Sequence, residues 1–185
     1  MKPRYDQTPN ALLTRHGQQL AACVGQVMSG AWLAWDRRED RWLPDEAVVF
    51  SIGDDCLAVN CWKLTDIALG WNCIDLRATP AWVATWGTDF DLVWRENPLP
   101  LLRDAAGQRV REVNVLEYLH RTTVVRAPGN PAIVGQTSES WLLHGLEFVL
   151  EEATLTIFNA LDENGLTRNI SEGTHFRRTS AQRAA

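Results

Sequence analysis

At 185 residues, 45% apolar and 22% charged, the chain is long enough to bury a core and too apolar to be disordered. A net charge of −5 without clustered Lys and Arg argues against nucleic acid as a partner. No apolar run approaches the ~20 residues of a membrane-spanning helix, and Met1 to Thr8 holds no apolar stretch between its charges, so the expectation is a cytoplasmic folded protein, monomer or homodimer.

In chain order, a Thr-Pro entry followed by Leu12 and Leu13 predicts a short helix over residues 10–18, stopped at Gly17. Residues 19–28 fit helix and strand periods alike. Alternation over 31–35 and 48–52 predicts strands, and Gly53-Asp54-Asp55 before the alternating 56–62 predicts a hairpin. Asn97-Pro98-Leu99-Pro100 reads as a hinge. A second short helix follows over 101–108, then strands over 110–118 and 122–126. Residues 127–140 are polar with Gly and Pro and read as the longest loop, and another hairpin spans 141–159 around Glu151-Glu152.

The two hairpins align without a gap, residues 48–60 on 146–158. The alignment matches Phe50 with Phe148, Leu57 with Leu155, Val59 with Ile157 and the turn acid Asp54 with Glu152. A Leu-Leu phrase ending in Gly-Gln precedes each hairpin, at 12–18 and at 101–108. The fold class expected is therefore α+β, mostly β, with two similar antiparallel strand-hairpin modules forming a curved sheet or barrel-like core, each preceded by a short helix. Residues 1–9 are an N-terminal extension, 10–166 one β-rich domain (modules 10–96 and 97–166), and 167–185 a polar C-terminal tail. The seam between modules is the natural place for a cleft.

Charge and tryptophan are unevenly spread. From residue 36 to 96 there are twelve acidic residues against six basic ones, and eight of the nine tryptophans lie in the first module. Most are expected to fill the core of a thin sheet sandwich, with Trp82 and Trp86, between Pro80 and Gly87, as an exposed pair. Asp45, Glu46, Asp54, Asp55, Asp66, Asp89 and Asp91, spread over turns, are the expected negative surface for a basic protein partner, with Trp82 and Trp86 as its anchors. General solubility explains the same acids.

Catalytic and metal patterns are weak. His16, His120, His144 and His175 are scattered singly, and Cys23, Cys56, Cys61 and Cys73 show neither CxxC nor zinc spacing and read as reduced, buried thiols. Asp162-Glu163-Asn164-Gly165 clusters oxygens without EF-hand spacing and reads as a solvated turn. A Cys61–His144 pair has no local support, and Thr137, Ser138 and Ser140 lack a nucleophile elbow. No cofactor and no metal are expected, and an enzyme less than a binding protein.

Trp71-Asn72-Cys73-Ile74-Asp75-Leu76, Leu92-Val93-Trp94-Arg95-Glu96-Asn97 and Ile157-Phe158-Asn159-Ala160-Leu161-Asp162-Glu163-Asn164-Gly165 resemble phrases of small acidic bacterial proteins, some of them similar to immunity partners of secreted toxins. The resemblance spans roughly residues 12–166 and implies a non-enzymatic module that masks a basic toxin surface. The alternative is a small-ligand binder or enzyme in the cleft between modules, using Trp with Asp75 and Asp162.

Overall fold

The structure, a computed structural model, describes residues 4–80, 90–123, 137–170 and 175–183. The first helix, α1 (Pro9–Ala22), starts at an N-cap whose Thr8 hydroxyl accepts from the Ala11 N–H at 3.2 Å, with Pro9 preset for the first turn. It is longer than the sequence reading. Gly17 does not stop it, because that residue lies in the buried face with Leu12, Leu13, His16 and Leu20, where a missing side chain suits close packing.

Strands β1 (Val27–Asp36), β2 (Arg41–Trp42), β3 (Val48–Ile52), β4 (Asp55–Trp62), β5 (Asp66–Trp71) and β6 (Leu92–Glu96) precede helix α2 (Pro100–Ala105). Strands β7 (Gln108–Thr123), β8 (Thr137–Leu150), β9 (Thr154–Asn159), β10 (Asn164–Thr167) and β11 (Phe176–Ser180) follow. The chain is mostly β. The strands make one open antiparallel sheet of eleven, in the order β10-β9-β8-β7-β1-β3-β4-β5, with β11 added to β7 and β2 and β6 to β1. Two sequence readings change here. The strand expected at 110–118 and the start of the one expected at 122–126 are one strand, whose residues 124–126 lie outside the described residues, and the polar tail contributes β11, whose Arg177 and Arg178 hide a strand that pairs with β7 from Phe176↔Tyr118 to Ser180↔Asn114.

The halves join where β1 and β7 meet head to head, Val27 opposite Arg109 and Met28 opposite Gln108. Gly25 N–H donates to Val110 O at 2.9 Å and Gly107 N–H donates to Met28 O at 2.8 Å. Both glycines have φ 84, a left-handed conformation that a side chain resists. The Gly-Gln pairs at this junction are 25-26 and 107-108, whereas residues 17-18 of the sequence phrase lie within α1. The register also shifts at like positions, between Met28 and Gly30 on β1 and between Val110 and Glu112 on β7.

The hairpins keep one register. Phe50 faces Leu57 and Val48 faces Val59, while Phe148 faces Leu155 and Leu146 faces Ile157. The sheet curls so that β4 lies against β9 and β5 against β8. One core fills the interior, with Leu12 and Leu20 of α1, Leu102 of α2 and the inward rows of both halves. At its centre the Phe50 and Phe148 rings sit 5.3 Å apart at 51°. The seam expected as a cleft is filled by these side chains.

Tryptophan is not the core residue. None of the seven described ones (Trp32, Trp35, Trp42, Trp62, Trp71, Trp94 and Trp141) is fully buried. Aliphatic side chains and the two phenylalanines already fill the narrow interior, and an indole N–H needs a partner. Trp71 donates to His16 Nδ1 at 3.3 Å and Trp35 to Asp40 at 2.9 Å. Trp32 and Trp94 instead pack on the opposite, outer face of the first half, over Val49 and Ala58.

The outer face of the second half has its own aromatic cluster. His144 is the extra residue of a bulge, since Leu116 faces Gly145 and Glu117 faces Leu143. Its ring stacks on Phe158 at 5.3 Å and meets Tyr118 at 5.6 Å and Phe176 at 5.5 Å. Phe158 lies over Gly165, where an added Cβ would stand 2.4 Å from the ring.

Two predictions follow from this packing. Phe50→Ala and Phe148→Ala each cost about 3–5 kcal/mol, and the double variant costs less than their sum because each ring is the other's neighbour. Additive losses in urea unfolding would contradict a shared contact. The second concerns His144, whose pKa burial pushes down to about 4. The unfolded chain takes up that proton near ~6.5 and the folded chain only near about 4, so stability is full above this window and falls as pH drops through it. His16 shifts in the same direction, through burial opposed by Asp6. His144→Phe therefore flattens, without abolishing, the fall of the urea midpoint between neutral and acid pH. Parallel pH profiles for variant and parent would count against it.

Candidate functional site

Two buried asparagines bring three turns together at one end of the molecule. Asn164 is 1% exposed and opens β10. Its Nδ2 donates to Pro44 O at 2.9 Å and Glu46 O at 2.8 Å, its Oδ1 accepts from Cys61 N–H at 2.9 Å, and its own N–H donates to Pro44 O. Asn159, also buried, donates to Lys63 O at 2.6 Å and Trp62 O at 3.4 Å and accepts from Asp162 N–H at 3.3 Å. The turn before β3, the β4–β5 turn and the β9–β10 turn are thereby fastened to one another. The expected solvated turn at 162–165 is in this respect a clasp between the two halves of the sheet.

On that frame stand the large apolar side chains that the fold leaves outside. Trp62, Leu64 and Leu161 are 37%, 56% and 74% exposed, the exposed large hydrophobics among the described residues, and all three lie in these adjoining turns. The same three turns carry four carboxylates, Asp45, Glu46, Asp162 and Glu163, and one cation, Lys63. The backbone is strained in the same place, with Lys63, Leu161 and Asp162 at φ 52, 65 and 76. Left-handed leucine is uncommon, and strain of this kind persists only where surrounding bonds hold it. The asparagine clasp supplies those bonds.

The expected acidic surface is not assembled as one patch. Asp45 and Glu46 belong to it, half-buried beside Trp62, because Val48 facing Val59 brings the start of β3 to the end of β4. Asp54 and Asp55 are exposed but lie at the opposite end of β3, where Asp55 accepts from Asn72 Nδ2 at 2.7 Å. Asp66 is not a surface group: it is 6% exposed and accepts from Gln7 Nε2 at 2.8 Å, under the N-terminal strap that Asp6 fastens to Ile67. Asp91 is paired with Arg37 at 2.6 Å, beyond the far end of β1. Trp82, Trp86 and Asp89 lie outside the described residues. The sequence marks Trp62, Leu64, Leu161 and Asp162 as anchors only faintly: the one local signal is a leucine in a polar turn between Asn159 and Asp162, too short a segment to return it to any core.

The described candidates for chemistry stand apart from one another. Among the described residues no three His, Cys, Asp or Glu side chains converge to hold a metal ion. Cys61 faces the core, where burial pushes its thiol up to about 12, while His144 stands on the outer face of the second half, so the two are not partners. His16 Nδ1 is occupied by Trp71, and its neighbour Asp6 is held by Arg15 at 2.9 Å. Thr137, Ser138 and Ser140 are exposed positions of β8. Asp75 caps its own turn by accepting from Arg77 N–H at 3.0 Å, and Asp162 lies in the other half. A groove of about 440 Å³ between α1 and β7 is lined by Thr8, Asn10, Leu13 and Thr179 with a single carboxylate, Glu117.

Clasp and patch have separable energetics. Asn164→Ala leaves Cys61 N–H and the Pro44 and Glu46 carbonyls without their partner and costs at least about 2 kcal/mol. Leu161→Gly removes an exposed side chain from a backbone that glycine accepts, so it leaves the urea midpoint unchanged or raises it. A large loss from Leu161→Gly would mean that the leucine serves the fold instead of a surface.

No protein-family model, curated protein or solved structure matches this chain.

Proposed function

We propose that the chain is a non-enzymatic protein-binding module whose patch of Trp62, Leu64 and Leu161 docks on a basic protein, as an immunity protein docks on its toxin. The observation that carries this reading is the collection of the exposed large apolar side chains in one clasped, acidic place. Scattered single apolar residues are ordinary, whereas a contiguous set with a polar rim has the composition of an interface centre. The four carboxylates of these turns favour approach of a basic surface and disfavour an acidic one. The net charge of −5 acts in the same sense at longer range.

The scaffold is, on this proposal, one helix-and-hairpin module used twice. Support comes from the paired left-handed glycines, the like-placed bulges and the common hairpin register. The patch grows from the turns after β4 and after β9, which occupy like places in the two copies, Lys63 and Leu161 both left-handed, and carry different residues. Duplication then supplies the rigid frame, and divergence supplies the surface.

The test uses the full chain and the toxin domain encoded beside its gene, each purified. Wild type binds the toxin domain and protects cells that express it, and binding weakens with added salt. The double variant Leu64→Ser with Leu161→Gly keeps its circular dichroism and unfolding midpoint yet loses about tenfold or more in affinity. Absence of both binding and protection in the wild type rejects the function. Binding that is indifferent to the patch variants rejects the surface.

A further inference from the structure

The four cysteines divide into two kinds. Cys23 and Cys61 are buried in the core, and burial pushes their thiols up to about 11 and about 12, so neither supplies thiolate near neutral pH. Cys56 is only partly buried and Cys73 is exposed, which departs from the expectation of four buried thiols.

Cys56 and Cys73 also lie together. Asn72 N–H donates to Cys56 O at 2.8 Å, and Cys56 N–H donates to Asn72 Oδ1 at 2.7 Å, so the residue before Cys73 is fastened against Cys56. Asn72 has φ 52 and turns the chain at the end of β5, and Ile74 and Leu76 then pack on the outer face of the first half. The Cys73 sulfur settles over Gly70, at 2.4 Å from where a Cβ of that glycine would stand, and that Cβ position is 3.9 Å from Ala58 Cβ. Ala58 is two residues along β4 from Cys56, and the two pack in the same outer apolar patch. Both sulfurs therefore occupy one face of neighbouring strands, and the bare backbone of Gly70 leaves the room in which Cys73 reaches across.

We propose that Cys56 and Cys73 are a reversible redox pair, a disulfide latch that forms in response to a peroxide and ties the turn carrying Ile74 and Leu76 to β4. The exposed Cys73 thiolate attacks one oxygen of hydrogen peroxide; the O–O bond breaks, Cys73 becomes a sulfenic acid, and the departing hydroxide takes a proton to give water. The Cys56 thiolate then attacks the Cys73 sulfur, the S–O bond breaks, the S–S bond forms, and the second hydroxide leaves as water with the proton released by Cys56. Two thiols are oxidised by two electrons, and one peroxide is reduced to two waters. The bridge closes a loop containing the β4–β5 turn and β5, and it holds Ile74 and Leu76 over Val49 and Ala58, so the latch acts on the Trp32 and Trp94 face.

The full-length chain is treated with hydrogen peroxide, quenched with catalase, denatured, alkylated and weighed intact, with peptide mapping. The expected product is a monomer lighter by two hydrogen atoms before alkylation. Cys56 and Cys73 are protected from alkylation, Cys23 and Cys61 are alkylated, and dithiothreitol restores the parent mass. Cys73→Ser alters an exposed position and abolishes the product, as does Cys56→Ser. The mapping is done on the wild type and so does not depend on either variant folding. A dimer linked through Cys73, over-oxidised Cys73 beside an alkylatable Cys56, or the same mass loss in Cys73→Ser each overturns the latch.

Discussion

The short ladder where β1 meets β7 is the constraint on which the rest of the structure depends. Two glycines in the left-handed region turn their N–H groups across the junction, each onto a carbonyl of the opposite half. A side chain at either position would strain the turn and withdraw that donor. Because the ladder joins strand beginnings head to head, each strand runs outward from the junction with its own hairpin, and the two hairpins curl back toward one another. Phe50 and Phe148 meet for that reason: each stands on the first hairpin strand of its half, opposite Leu57 and Leu155, and the curl brings the two rings into contact. The core is consequently continuous across the junction.

Local chemistry in the sequence reports some of this and not the rest. The hairpin at 48–62 is legible because alternation and a Gly-Asp-Asp turn lie within a few residues of each other, and its observed register is the one the alternation dictates. The strand at Phe176 is not legible. Its two arginines read as a solvated tail, yet Arg178 folds onto the buried Glu147, with Nε to Oε2 at 2.6 Å, and Arg177 covers Trp141 at 3.8 Å. Such burial depends on partners about thirty residues away, which no local window contains. Gly17 misleads in the opposite sense, as a breaker in isolation that tertiary packing places inside a helix face.

The acids show the same limit more sharply. As a list, Asp45, Glu46, Asp54, Asp55, Asp66 and Asp91 are one charge-rich stretch. In three dimensions a five-residue strand separates the first pair from the second, Asp66 is withdrawn beneath the N-terminal strap, and Asp91 is paired with an arginine. Composition reports how much charge a segment carries and is silent on where turns point it. The resemblance-bearing phrase at 157–165 behaves differently, since its asparagines are framework and only Leu161, Asp162 and Glu163 between them are surface.

That division bears on the proposed docking surface, where the turn is strained. A leucine held at φ 65 in a flexible loop would relax, hiding its side chain or losing order, and binding would then have to restore the conformation each time. Fastening the turn by the Asn159 and Asn164 side chains places that cost in folding, where a continuous core offsets it. On the proposed function, a partner would then meet apolar side chains already fixed in place, with little entropy left to lose. Rigidity also sharpens selectivity, because carboxylates on a fixed frame cannot swing aside to admit an acidic surface. A binding surface built this way needs no pocket and no reactive group, only a frame stiff enough to keep apolar side chains out of the interior, and the two-asparagine clasp is that frame.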